Sequence, residues 1–260
     1  MIKFFVTPEQ IAGGNIYIED RDDVKHLVKV LRAKVGDEIA ISDGDEWEYV
    51  TEIEGIGADE VKLRITDKQK FAREPSVQVS LYQGIPKAQK MESIIQKCVE
   101  LGVSEIIPVF TERTVVVDKG QMGKKTARWQ KISDEAVKQC KRGKIPKVRE
   151  PLTFEEMADE LAASVASTAN EKGEQKKFDM VICPYENEEN RSIKDALRGA
   201  EEPLRIAVII GPEGGFADEE VARLAEADIA AEIVTLGKTI LRTETAGMAA
   251  IAMIMYELEL

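Results

Sequence analysis

The chain has 260 residues, 43% of them hydrophobic, enough to fill one large core or two ordinary ones. Its three cysteines, Cys98, Cys140 and Cys183, lie far apart; they offer neither a disulfide framework nor the paired spacing of a metal site, and they fit a reduced, cytoplasmic setting. The apolar start at Met1–Val6 is too short for a signal peptide and no segment reaches the roughly 18 apolar residues of a membrane span, so no membrane partner is expected, while a net charge of −12 argues on its face against a polyanionic one.

Residues 1–72 read as a small β-rich unit. Glu46-Trp47-Glu48-Tyr49-Val50 and Val61-Lys62-Leu63-Arg64-Ile65 alternate as half-buried strands do, with a turn signal at Asp43-Gly44-Asp45. One helix, 20–33, interrupts them; it sets Val24, Leu27, Val28 and Leu31 on one side and Lys25, Lys29 and Arg32 on another. Gly36 turns the chain back into a strand at 38–41. The pattern changes at Pro75, and a domain boundary is placed there, giving domains 1–72 and 73–260. Beyond it strands alternate with helices: strand 77–82, a helix through Met91, Ile94, Ile95, Cys98 and Leu101 stopped by Gly102, strand 105–110, helices 124–142 and 153–166, a polar connection 168–177, strand 178–183, helix 192–197, strand 205–210, helix 218–227, strand 231–234 and helix 243–258. Such alternation predicts an α/β fold with a mostly parallel sheet covered on both faces.

Charge is unevenly spread. Residues 113–149 hold twelve Lys or Arg against three acids, a local charge of +9, which leaves −21 for the remainder. On helix 124–142, Trp129, Ile132, Ala136 and Cys140 share one face, and Arg128, Lys131, Lys138 and Arg142 another. A solvated lysine face is the common reason for such a pattern. The continued positive charge through Lys147 and Arg149, in an acidic protein, favours phosphate contacts with nucleic acid.

Strand 205–210 runs into Gly211-Pro212-Glu213-Gly214-Gly215-Phe216. A glycine turn at the carboxyl end of a strand is where an α/β sheet binds small molecules, because glycine accepts positive φ and close approach. The turn lacks the Gly-Lys-Ser/Thr ending of a triphosphate loop and the spacing of a dinucleotide fingerprint; it is equally compatible with a structural turn before an acidic helix start. Leu241-Arg242-Thr243-Glu244-Thr245 places an arginine, a carboxylate and two hydroxyls at the entrance to the last helix, where Thr243 serves as an N-cap or the helix start binds a ligand. That helix is apolar nearly all round, as a buried or interface helix is. His26 is the sole histidine, and no serine or cysteine motif accompanies it, which leaves a histidine-based triad without support.

Together these motifs resemble the RsmE-type 16S ribosomal RNA (uracil-N3)-methyltransferases of the SPOUT superfamily. The shared order includes His26-Leu27-Val28-Lys29-Val30-Leu31-Arg32, Gly84-Ile85-Pro86-Lys87 through Lys90-Met91-Glu92, Ile95-Gln96-Lys97, Glu100-Leu101-Gly102, Glu112-Arg113, Trp129-Gln130-Lys131-Ile132, Glu135-Ala136 with Gln139-Cys140, Ile210 to Gly215, and Leu236-Gly237 with Ile240 to Ala246. The resemblance implies a PUA-like β-barrel at the amino end, a trefoil-knotted α/β methyltransferase domain, a homodimer, and a substrate in 16S ribosomal RNA or the assembled small subunit. It implies S-adenosylmethionine held by Ile210, Gly211, Pro212, Glu213, Gly214, Gly215, Leu236, Gly237, Leu241 and Thr243. Arg242 is then expected to steady the uracil as its N3 proton leaves, with Glu244 as a proton acceptor. Lys25, Lys29, Arg32, Arg113, Arg128, Lys131, Lys138 and Arg142 are the expected RNA contacts. Methylation of another RNA position, such as a ribose 2′-hydroxyl, and noncatalytic RNA binding are the alternatives. The chain departs from the family pattern at Lys238-Thr239, where a proline and an arginine are common, and at Ala217, where a hydroxyl-bearing cap is common.

Overall fold

The computed structural model describes residues 3–71, 73–118, 120–166, 178–198 and 205–259. The polar connection expected at 168–177 lies outside them. The chain divides into two compact units, Met1–Glu74 with Val137–Ile145, and Pro75–Ala136 with Pro146–Leu260.

The amino-terminal unit is a six-stranded sheet in the order β1-β4-β5-β6-β3-β2. Its strands are β1 (Lys3–Phe5), β2 (Ile11–Ala12), β3 (Asn15–Ile18), β4 (Glu38–Ser42), β5 (Trp47–Ile56) and β6 (Val61–Lys70). The expected β5–β6 hairpin is present and longer than its alternating stretches, with bulges at Val50/Thr51 and Ile53/Gly55. Asp43 closes the turn before it, accepting the N–H groups of Asp45, Glu46 and Trp47 at 3.0, 3.0 and 2.9 Å. Phe4, Ile16, Leu27, Ile41, Ile53, Val61 and Leu63 form the core.

The expected helix 20–33 is shorter and of two kinds. Asp20 caps it through the N–H groups of Asp22 and Asp23, both 3.0 Å. Helix α1 (Arg21–Lys25) passes into a π turn, His26–Val30, and Arg32 then adopts left-handed backbone at φ 54°. Arg32 therefore leaves the helix, and the stripe expected from Lys25, Lys29 and Arg32 reduces to the first two. His26 is exposed, its ring edge-on to Phe4 at 6.0 Å.

The segment 137–145 belongs to this unit through polar contacts that periodicity does not reveal. Lys3 is 6% exposed; its ammonium pairs with Glu48 at 3.0 Å and donates to the carbonyls of Lys141 and Arg142 at 3.1 and 3.3 Å. The Ser42 hydroxyl donates to the Gly143 carbonyl, and no side chain fits at Gly143 because Phe71 lies against it. Arg142, expected to reach RNA, is buried instead and pairs with Glu74 at 2.9 Å, while Glu74 also accepts the N–H groups of Gly143 and Lys144 at 2.7 and 3.0 Å. The cation is used to end a helix inside the protein.

The carboxyl-terminal unit has a wholly parallel sheet in the order β10-β8-β7-β12-β11-β13, with β9 also paired to β8. The strands are β7 (Gln78–Gly84), β8 (Glu105–Phe110), β9 (Lys147–Val148), β10 (Leu152–Thr153), β11 (Met180–Pro184), β12 (Arg205–Ile210) and β13 (Glu232–Val234). The helices are α2 (Lys90–Glu100), α3 (Met122–Cys140), α4 (Phe154–Ala166), α5 (Ile193–Leu197), α6 (Asp218–Leu224) and α7 (Thr243–Glu259). Tyr82, Ile107, Phe154, Leu161, Val181, Ile209, Phe216 and Leu224 pack between sheet and helices. Among the connections, Arg149 pairs with both carboxylate oxygens of Glu160 at 2.7 Å, and Tyr82 donates to the same group at 2.8 Å.

Strands β7 and β12 pair along six residues, from Gln78 opposite Arg205 to Gln83 opposite Ile210. That register brings the turns after both strands out side by side. Cys98 and Cys183 are buried among apolar groups, and desolvation pushes both thiols up to about 12, which suits structural cysteines rather than nucleophiles.

Glu74→Ala removes the carboxylate that pairs with buried Arg142 and accepts the Gly143 and Lys144 N–H groups, so the amino-terminal unit is expected to lose about 3 kcal/mol, read as a lowered urea midpoint by tryptophan fluorescence.

Candidate active site

The carboxyl ends of β11, β12 and β13 open into one cleft of about 970 Å³. Ile210, Gly211, Pro212, Glu213 and Gly215 form one wall, and Leu236, Gly237, Leu241, Arg242 and Thr243 the opposite one. The structure thus brings together all the expected cofactor residues except Gly214. The Gly214 carbonyl instead accepts from the Arg113 guanidinium at 3.0 Å.

Close backbone approach explains the glycines. A Cβ on Gly84 would lie 2.6 Å from Pro212, so Pro212 rests directly on the end of β7. The turn closes with the Gly215 N–H donating to the Pro212 carbonyl at 3.0 Å. Gly215 has φ +67°, left-handed backbone that strains any residue with a Cβ, and its α-carbon lies against the exposed Glu186 carboxylate, which a side chain would have to displace. Gly237 has φ +122° and faces open space, its N–H donating to the Thr235 hydroxyl at 3.2 Å.

Thr243 fastens the two walls. Its hydroxyl donates to the Gly211 carbonyl at 2.6 Å and accepts from the buried Gln83 amide at 2.9 Å. Thr243 is therefore not the helix cap; the Arg242 carbonyl receives the N–H groups of Thr245 and Ala246, both at 2.8 Å, in that role. Ala217 cannot cap α6 with a side chain. Glu220 substitutes, accepting the Ala217 N–H and the Glu112 N–H at 2.9 Å each.

Lys90, at the start of α2, pairs with two acids: Glu213 at 3.0 Å and Glu244 at 3.1 Å. The Glu244 contact is an ion pair without hydrogen-bond alignment. Partial burial opposes ionisation of Glu213, but Lys90 and the N–H groups of Glu213 and Lys87 outweigh it and hold the carboxyl below its ordinary range. Glu244 is held low by its own backbone N–H first, then by Lys90 and Arg242. Both carboxylates raise the Lys90 ammonium. Arg242 is exposed, lines the cleft, and makes no ion pair among the described residues.

The expected RNA contacts are dispersed, and none lines the cleft. Lys25 and Lys29 are exposed on the first helix, and Lys131 on α3. Arg128 pairs with Glu92 at 2.8 Å, and Lys138 with Asp23 at 3.3 Å. Lys90, Gln83, Thr235 and the stretch Tyr185–Glu189 were not assigned from sequence. The rule that parallel sheets bind ligands beyond strand carboxyl ends points to Tyr185 and Glu186, which follow β11. A glutamine at the end of an apolar strand was the available signal for Gln83. Among the described residues no cluster of His, Cys, Asp and Glu could hold a metal ion, and no helix is long and apolar enough to cross a membrane.

A parallel sheet whose glycine turns form a backbone-walled cleft, joined to a small barrel, defines a two-domain RNA-modifying protein: residues 73–255 match the family model for the RNA methyltransferase domain, and residues 18–66 that for the RNA methyltransferase PUA domain. The chain belongs to this RNA methyltransferase family. It is 31% identical over 267 residues to Ribosomal RNA small subunit methyltransferase E of Bacillus subtilis (strain 168), covering 100% of this chain and 98% of the relative. The Neisseria gonorrhoeae methyltransferase E bound to S-adenosyl methionine superposes with a TM-score of 0.80 at 27% identity, covering 99% and 98% of the two chains. Lpg2936 from Legionella pneumophila, a putative methyltransferase with bound cofactor SAM, gives 0.78 at 29% identity over 98% and 97%. The amino-terminal unit is accordingly PUA-like and the carboxyl-terminal unit is the methyltransferase domain.

Gly215→Ala places a methyl against Glu186 on left-handed backbone. It is expected to weaken S-adenosylmethionine binding at least tenfold, roughly the effect of 1.4 kcal/mol, by calorimetry, with the far-ultraviolet dichroism of the folded chain retained.

Proposed function

We propose that this protein methylates N3 of a uridine in 16S, small-subunit ribosomal RNA, using S-adenosylmethionine. The observation that carries the reading is the cleft itself: two stretches of backbone joined by Thr243, with an exposed arginine in the lining that makes no ion pair among the described residues. The residues present fit the cofactor, since the cleft is lined by two glycine-containing turns whose close packing leaves main chain at its surface, and the turn has no phosphate-binding lysine. The names of the relatives and the cofactor in two of the structural neighbours point the same way.

In this reading Ile210 to Gly215 and Leu236, Gly237 and Leu241 hold the cofactor through backbone and apolar contacts, and Gly214 supports that wall from behind through Arg113. When bound, S-adenosylmethionine supplies an electrophilic methyl on a sulfonium. The uracil N3 proton has a pKa well above neutral, so negative charge developing on the base must be stabilised at the moment of transfer. Arg242 is the group for that task, exposed at the cleft and not committed to a carboxylate. Glu244 is a poor acceptor because its backbone N–H and Lys90 lower its basicity; the N3 proton therefore passes to solvent water at the open cleft, and Glu244 stays paired with Lys90.

The reading includes a homodimer and a cytoplasmic location. The apolar helix α7 leaves Met253 40% and Tyr256 70% exposed, surface that a second copy would cover. It includes the threaded knot, for which the closure of the turns 211–216 and 235–243 on one cleft, tied at Thr243, is the supporting geometry. The 16S RNA is met either free or in the assembled small subunit, with Lys25, Lys29 and Lys131 as exposed phosphate contacts.

Small-subunit RNA treated with the protein and S-adenosylmethionine is expected to gain one strong reverse-transcription stop at a uridine, because N3 methylation blocks pairing. A pause seen only at low nucleotide concentration identifies a ribose target instead, and no cofactor binding identifies a noncatalytic binder. Arg242→Ala is expected to lower the single-turnover rate about 100-fold with cofactor affinity retained; a full rate removes Arg242 from the mechanism.

A further inference from the structure

Three charged side chains crowd the first turn of α7, and their pairing is not the one that chain proximity suggests. Arg242 and Glu244 are two residues apart, yet the Glu244 carboxylate is paired with Lys90 from α2, at 3.1 Å. The same ammonium lies 3.0 Å from Glu213 on the glycine turn, whose carboxylate also accepts the Lys87 N–H at 3.1 Å. Two carboxylates therefore share one ammonium, and a net negative charge is left beside Arg242. Arg242 nevertheless stays exposed at the cleft, without an ion pair among the described residues.

We infer that Lys90 is a positioning residue that keeps Arg242 available to the RNA base by occupying Glu244 and Glu213. Without Lys90, two uncompensated carboxylates stand next to a flexible guanidinium, and charge attraction draws Arg242 out of the cleft onto Glu244. The inference deepens the proposed function and rests on Arg242 facing the reacting base. Lys90 also joins the glycine turn to α7, so a purely structural role makes a competing prediction: loss of Lys90 loosens the cofactor walls.

The test separates the two. Lys90→Met, with Lys90→Gln as a second variant, is measured by single turnover at saturating RNA and cofactor, and by calorimetry with S-adenosylmethionine alone. The expected result is a rate lowered about tenfold with cofactor affinity within about twofold of native. Adding Glu244→Gln to Lys90→Met then restores most of the lost rate, because the competing carboxylate is gone. An unchanged rate in Lys90→Met, a parallel loss of cofactor affinity, or no recovery in the double variant each overturns the inference. A reading independent of turnover is the carbon-13 titration of the Glu244 carboxylate. Arg242→Met should shift its midpoint more in the Lys90→Met background than in the native one, and equal shifts overturn the inference. Should the native protein methylate no small-subunit RNA, the proposed function fails, while the titration still decides whether Lys90 keeps Arg242 and Glu244 apart.

Discussion

Pro212 lies on Gly84, and no side chain can come between them. That contact exists because β7 and β12 run parallel and in register up to Gln83 and Ile210, so the turns that follow must either diverge or pack backbone to backbone. Here they pack, with a glycine on each side. Gln83, the last full side chain before the crossing, spends its amide on the Gly84 carbonyl and the Thr243 hydroxyl, and Thr243 passes the connection to the Gly211 carbonyl. The start of α7 is fixed by this chain of hydrogen bonds. A buried polar network of this kind rigidifies when its donors are all used, and the wall it holds is made of main chain. A ligand in the cleft is consequently read by backbone geometry, which side-chain substitution alters little.

Charge follows a different logic from the one composition suggests. The basic segment 113–149 stands out in an acidic protein, yet much of it is committed internally. Arg142 ends a helix by pairing with Glu74, Arg149 grips Glu160, Arg128 meets Glu92, and Lys138 meets Asp23. These are different kinds of pair. The Arg142–Glu74 pair is buried, and breaking it removes a carboxylate that also holds two backbone N–H groups. The Arg128 and Lys138 pairs are exposed, contribute little to stability, and can be exchanged for phosphate at small cost. Within the basic segment, Arg142 beyond the end of α3 is therefore buried, while Lys131 on α3 is open to solvent.

The parts of the fold readable from sequence were those with a period. The alternating hairpin β5–β6, the apolar strands of the parallel sheet and the five longer helices of the second unit were expected close to where they lie. Strands β9 and β10, of two residues each, carry no period at all, and β1 pairs with residues far along the chain, Lys3 with Ala40 and Phe5 with Ser42. The segment 137–145 was assigned to the wrong context for the same reason: its place in the first unit depends on Lys3, Ser42 and Glu74, each a polar residue reaching across the fold. At the site, glycine and the 236–245 motif were legible because backbone approach demands particular residues. Lys90 was not, because a lysine at the first position of a helix has an ordinary solvent role, and only the folded arrangement sets it between two carboxylates.

The departures from the family pattern can be weighed by which wall function they touch. At Ala217 the half of a capping box that a hydroxyl would make is lost, but Glu220 makes the reciprocal half, accepting the Ala217 N–H and holding the Glu112 N–H as well, so the start of α6 keeps an anchor. Lys238-Thr239 is a different case. The loop there is shaped by Thr235 on either side of Gly237, its hydroxyl bonded to both the N–H and the carbonyl of that residue, and by the positive φ that glycine permits. Neither feature depends on the next two side chains. Lys238 is exposed at the cleft and presents a flexible point charge in place of an arginine fork. The change therefore leaves the backbone of the Thr235–Gly237 turn intact and alters only the charge presented at the cleft, where a directional fork is exchanged for a mobile ammonium.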